Sequence, residues 1–328
     1  MTAVVPVMSP VMGLSVRGPF SGSGYEFNFG GALPPGVTLA RASTGWYFDS
    51  AGVLQSAAND VPRFTYDPAT LALQGVLVEP ARTNSIRNNT IVGAVAGSPG
   101  TLPTNWSVNG ATGSTRTLAL ATDDGIETLS VTYTGTAGGN SSSINLDEAT
   151  VIAASTGQTW TLSAYLKLLS GDFTNITTAV LRIEELDGSG AVIGSSLSTV
   201  SIRGITSAAL RTQRFQVTRT LTEATVAYVR SRLLFTHPNG SAISLGFAIG
   251  QPQLAQGSSA SSPIKTTSAA VTRAADVLSL AMTDGTYDID ITRLSGVTNV
   301  VGAVVSGGAY TVPTDLSPLQ SVVARRVA

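Results

Sequence analysis

Residues 159–168 read TWTLSAYLKL. In an extended chain Trp160, Leu162, Ala164, Leu166 and Leu168 fall on one side, while Thr159, Thr161, Ser163, Tyr165 and Lys167 fall on the other. Successive side chains of a strand point to opposite faces, so this alternation predicts a strand with one buried and one solvated face. The buried face needs a second layer to cover it.

The same period continues on both sides. Glu127 to Thr134 alternates, with Leu129, Val131 and Tyr133 opposite Thr128, Ser130 and Thr132. Ala179 to Leu186, the turn Asp187-Gly188-Ser189-Gly190 and Ala191 to Ile193 read as a hairpin. Phe215 to Leu221 reads as a further strand. Ala227 to Phe235, Pro238-Asn239-Gly240 and Ala242 to Ile249 read as a second hairpin, with Ile243, Leu245, Phe247 and Ile249 alternating against Ser244, Gly246, Ala248 and Gly250. Helical character is confined to one short turn near Asp147 to Ala154. The expected fold is all-β, an antiparallel jelly-roll β-sandwich over residues 93–272, entered through the Gly-, Pro-, Ser- and Asn-rich stretch 93–112.

Three other regions flank it. Residues 1–40 carry Pro6, Pro10, Pro19, Pro34 and Pro35 and predict an extended N-terminal arm with one strand at Tyr25 to Phe29, a candidate anchor on a neighbouring subunit. Residues 41–92 are punctuated by Asp49-Ser50-Ala51-Gly52, Tyr66-Asp67-Pro68 and Glu79-Pro80, which predicts a turn-rich β module. Residues 273–328 predict a small C-terminal β element, in which Tyr287, Ile289 and Ile291 oppose Asp288, Asp290 and Thr292, with Val300 to Val305 and Ala309 to Val312 as pairing partners.

Composition narrows the function. The 328 residues carry a net charge of −1 with 12% charged residues, so no basic field is present to attract nucleic acid or an anionic membrane. Cysteine is absent, which excludes disulfides, thiolate metal sites and cysteine nucleophiles. The first twenty residues lack a basic leader, and no apolar run approaches the ~18 residues of a membrane span.

Catalytic candidates are sparse. His237, the single histidine, precedes Pro238-Asn239-Gly240 and is expected at a solvated hairpin tip, remote from any nucleophile elbow. Glu184 and Glu185 are adjacent on a strand and so point to opposite faces, which separates them as a glycosidase pair. Glu79 is expected in a structural ion pair with Arg82. No cofactor is expected, although Asp123 with Asp124, or Asp187 with Ser189, could offer oxygens to a structural calcium ion. Sugars stack on exposed rings, which makes Trp46, Tyr47 and Tyr165, with Lys167 beside the last, the expected glycan-binding set.

Two blocks carry a resemblance. The first runs from Arg41 to Asn84, RASTGWYFDSAGVLQSAANDVPRFTYDPATLALQGVLVEPARTN; the second is Ser262-Pro263-Ile264-Lys265-Thr266-Thr267 followed by Ala270-Val271-Thr272-Arg273-Ala274-Ala275-Asp276. Their order and spacing resemble a segment shared by tailed-bacteriophage and prophage virion surface proteins of the tail-fibre-like, lectin-like jelly-roll group. The matched structural positions are Arg41, Arg63, Asp67, Glu79, Arg82, Asn84, Arg273 and Asp276. The resemblance implies a carbohydrate-binding-module-like or lectin-like sandwich and a non-enzymatic virion protein, built in the bacterial host cytoplasm and displayed on the particle surface. It further implies host-surface glycan adhesion, contacts with other virion proteins and a homo-oligomer, with a trimer favoured. The alternatives are a capsid decoration or head-fibre protein held through its N-terminal arm, and a polysaccharide-degrading spike.

Overall fold

The computed structural model describes residues 24–110 and 113–327. Nearly every element is a strand, and Leu210–Thr212 is the one helical turn among the described residues. The segment 147–154, expected to hold a helical turn, is an irregular loop instead.

Two five-stranded antiparallel sheets form the sandwich. The first orders its strands Arg214–Thr220, Thr159–Gly171, Ala242–Gln256, Ile126–Thr136 and Ser114–Asp123. The second orders them Val192–Ser201, Thr178–Leu186, Tyr228–Thr236, Ser141–Asn145 and Ser107–Gly110. The chain passes repeatedly from one sheet to the other, so strand neighbours are seldom sequence neighbours, as a jelly roll requires. Between the sheets lie Leu129, Val131, Ile144, Leu162, Leu166, Leu181, Ile183, Leu233, Phe247 and Ile249, all fully buried. Each such side chain contributes about 1.5–3 kcal/mol on leaving water. Trp106 and Trp160 belong to the same core, and the Trp106 indole donates to Asn88 O at 2.8 Å.

Residues 24–40 meet the C-terminal strands beside the sandwich. Gly24–Asn28 pairs with Leu319–Arg326, which also pairs with Gly285–Arg293 and touches Leu73–Val76; Val37–Ala40 pairs with Val277–Ala281. Phe27, Phe29, Leu39, Val76, Leu278, Tyr287, Ile291 and Val322 share one core. Residues 24–40, 41–92 and 273–327 are therefore interleaved rather than consecutive units, which corrects the expected partition. Its reason is that pairings between residues ~300 positions apart leave no local signature. The remainder of the expected arm, residues 1–23, lies outside the described residues. Gly75 permits one close crossing: its φ is +128°, and a Cβ there would sit 2.2 Å from Leu319 O.

The strand Thr159–Gly171 departs from expectation in one respect. Thr161, Ser163 and Tyr165, predicted on a solvated face, are 2%, 0% and 3% exposed. The hairpin Gly45–Phe48 with Leu54–Ala57 covers Tyr165, which packs with Phe48, Leu54, Ile126 and Leu210. The Thr161 hydroxyl donates to Gly257 O at 2.7 Å, and Ser163 Oγ accepts from Arg214 at 3.0 Å.

Candidate functional site

The two resembling blocks converge on a buried ion cluster. Asp276 takes Arg41 Nη1 at 3.1 Å and Arg63 Nη2 at 2.6 Å, while Glu79 takes Arg63 Nη1 at 2.8 Å and Arg273 Nη1 at 2.5 Å. All five side chains are at most 1% exposed. Two bonds pin the acids together: Asp276 N donates to the Glu79 carbonyl at 2.9 Å, and Glu79 N donates to the Asp276 carboxylate, Oδ2, at 2.8 Å. Ser262 adds its N–H and hydroxyl to Glu79 at 2.8 and 2.6 Å. Other guanidinium donors reach carbonyls, Arg41 bonding Ser43, Ala57, Ala58 and Val61 and Arg273 bonding Pro80, while Nε of Arg63 and of Arg273 has no acceptor. Burial pushes the Glu79 carboxyl up, but Arg273, Arg63 and the Ser262 donors outweigh it and hold the group below the usual carboxylate range. Glu79 therefore pairs with Arg63 and Arg273 and not with Arg82, as expected from sequence proximity. Gly45 lies against this cluster, where a Cβ would meet Arg63 Cδ at 2.7 Å.

The other motif residues are structural too. Asn84 is fully buried and bonds Pro252 O, Ile264 O, Ile86 N and Leu254 N, tying the first block to the sandwich. Asp67 closes its own turn through the N–H groups of Ala69 and Thr70. Arg82 donates to Gln256 O and borders a cleft of about 480 Å³ with Thr83, Ser85, Trp160 and Thr272.

The expected glycan-stacking set does not form one platform. Tyr165 is buried edge-on to Phe48, with ring centroids 5.9 Å apart, and Arg214 lies 5.3 Å from its ring centroid. Trp46 is half-buried, and Lys265 Nζ occupies its face 3.9 Å from the centroid. Tyr47 is half-buried across from Gln55, and Lys167 pairs with Asp123 at 2.6 Å. Trp46 and Tyr165 thus belong to the joint between the hairpin and the sandwich. The alternation of residues 159–168 predicts exposure of Thr161, Ser163 and Tyr165, whereas segments distant in sequence cover them.

The carboxylates proposed for calcium are engaged elsewhere: Asp123 by Lys167, Asp124 by Arg211 at 2.7 Å, and Asp187 by Ser189 and Ala191 of its own turn. Among the described residues no group of three or more His, Asp or Glu is arranged to hold a metal. His237 is 5% exposed, not solvated; the turn after it folds back, with Gly240 N donating to Ala137 O and Asn239 N to Asn140 Oδ1. Glu185 accepts from Arg219 and from the N–H groups of Thr222 and Glu223.

Residue-level reasoning overlooked a second charged cluster, on the outer face of the second sheet. Glu184 points away from the core and is fully buried, surrounded by Arg182 Nε at 2.8 Å, Arg230 Nη2 at 2.6 Å and Arg232 Nη2 at 2.7 Å. The three arginine side chains keep 14–16% exposure. Register places Arg182 opposite Arg232 and Glu184 opposite Arg230, so all four share one face. Asn145 lies beside Arg232 and Thr199 beside Arg182 in the same cross-strand row. The signal was present: Arg182 and Glu184, and Arg230 and Arg232, each stand two apart on a strand.

No protein-family model and no curated protein matches the chain. Among solved structures, a carbohydrate-binding module of the β-sandwich superfamily aligns over 73% of this chain and 94% of its own, at 14% identity and a TM-score of 0.35. The enzymatically active domain of tailspike protein 4 of bacteriophage CBA120 aligns over 47% of this chain and 19% of its own, at 17% identity and a TM-score of 0.31. The xylan-binding domain of Paenibacillus barcinonensis Xyn10C aligns over 54% of this chain and 94% of its own, at 14% identity and a TM-score of 0.28. Likeness at this level leaves the site to be read from its own side chains.

Proposed function

We propose that this chain is a non-enzymatic surface protein of a tailed-phage particle and that its sandwich adheres to host-surface polysaccharide. The observation that carries the adhesion is the outer face of the second sheet. Strands paired on both sides hold a row of guanidinium, carboxylate, amide and hydroxyl groups, a rigid array suited to the hydroxyls of a sugar chain. The virion setting rests on the resemblance of residues 41–84 and 262–276 to tailed-phage surface proteins. Turnover is disfavoured because Glu79, Glu184 and Glu185 are all committed to arginines, whereas glycoside cleavage needs a carboxyl group free to deliver a proton.

A homo-oligomer is part of the proposal, with a trimer favoured. Gly296–Val305 is a sheet edge, and its Val301 and Val304 are 81% and 75% exposed, which supports contact between copies. Purified protein incubated with host capsule or lipopolysaccharide should co-sediment with it and release no reducing ends. Release of reducing ends would overturn the non-enzymatic reading. Immuno-gold labelling of intact particles should decorate the tail; labelling of the head would move the chain to a decoration role.

A further inference from the structure

The Arg182–Glu184–Arg230–Arg232 cluster carries more charge than its own partner neutralises. Three guanidiniums surround a single carboxylate, which leaves a surplus of two positive charges, and among the described residues Glu184 is the one anion within ion-pair distance of them. Their side chains are only 14–16% exposed, so water compensates the surplus poorly. Burial pulls the Arg232 guanidinium below its ordinary pKa, with Arg230 and Arg182 adding repulsion that Glu184 opposes. Beside the row sits Asn145, 5% exposed; its amide donates to Ser107 Oγ at 3.0 Å, and its Oδ1 has no partner. Arg232 Nε is likewise without a hydrogen-bond acceptor. A guanidinium presents a planar fork matched to a carboxylate, and adjacent amide and hydroxyl groups suit the ring hydroxyls of a sugar.

We propose that this face binds the carboxylate of an acidic sugar, a uronic or sialic acid unit within a polysaccharide chain. The assignment rests on the adhesion reading above and adds the ligand's charge. Arg182 and Arg232 grip the carboxylate from one cross-strand row in place of Glu184, and Asn145 meets a hydroxyl of the same unit.

Glucuronate-, galacturonate- and N-acetylneuraminate-containing oligosaccharides, each with its carboxyl-reduced neutral counterpart, are titrated against the full chain by calorimetry. At least one acidic oligosaccharide should bind, its reduced counterpart should lose about 10- to 100-fold in affinity, and Arg182→Gln should lose a similar factor. Glu184→Gln, which removes the competing carboxylate, should tighten binding; circular dichroism and thermal melting report whether each variant stays folded. Equal binding of acidic and reduced sugars would overturn the charge assignment and leave adhesion standing. Host polysaccharide that binds wild type and Arg182→Gln alike would move the site elsewhere. Binding of none of these sugars, nor of host polysaccharide, would sink the adhesion reading as well.

Discussion

The molecule contains two arginine clusters of the same size and opposite design. In the buried one, Arg41, Arg63 and Arg273 meet two carboxylates, and backbone carbonyls accept further donors from Arg41 and Arg273, although Nε of Arg63 and of Arg273 finds no acceptor. In the outer one, Arg182, Arg230 and Arg232 share Glu184 alone and remain partly open to solvent. The first lies where residues 41–84 and 262–276 interlock; the second lies on a single sheet, away from the core. Guanidinium number does not separate a structural cluster from a binding one. What separates them is charge balance and access to solvent: two carboxylates serve three fully buried guanidiniums in the first, and one carboxylate serves three partly exposed guanidiniums in the second.

The comparison can be broken by mutation. Asp276→Ala strips two arginines of a buried partner and should cost about 3–5 kcal/mol, since an unpaired buried charge remains. A urea melt that loses less than about 1 kcal/mol would show that water reaches the buried cluster. Gly45→Ala drives a methyl toward Arg63 and should cost about 1–3 kcal/mol by overpacking. Arg182→Gln leaves Glu184 with two arginines and should move stability by less than about 1 kcal/mol while removing acidic-sugar affinity.

Acid sharpens the same contrast. The Glu79 carboxyl titrates below its unfolded value, so its contribution is complete above the unfolded pKa of about 4.3 and is lost as pH falls through the folded one. Stability should therefore decline below about pH 4, and Glu79→Gln should flatten that decline. At the alkaline end, burial pushes the Tyr133 hydroxyl up to about 12. The folded state then keeps a proton that the unfolded chain has released, so stability should fall between pH 10 and about 12. That hydroxyl has no hydrogen-bond partner, and Tyr133→Phe should gain about 1 kcal/mol and weaken the alkaline fall, to which the raised hydroxyls of Tyr165 and Tyr310 also contribute.

Local pattern alone located most strands. Period-two alternation is set by neighbouring residues, so Thr159–Gly171, Ile126–Thr136 and Ala242–Gln256 were legible, as were the turns that separate them. The amino-acid sequence thus determined the all-β class and the sandwich, and Arg41, Arg63, Glu79, Arg273 and Asp276 stood out in it only through the resemblance of two blocks to a known group. Only the tertiary structure decided that these five meet, that Tyr165 and His237 are covered, and that residues 24–40 share a core with the C-terminal strands. It also brought Arg182 and Glu184 beside Arg230 and Arg232 across an antiparallel pair. Strand periodicity says which way a side chain points but not what lies in front of it, because that depends on pairings between residues tens to hundreds of positions apart.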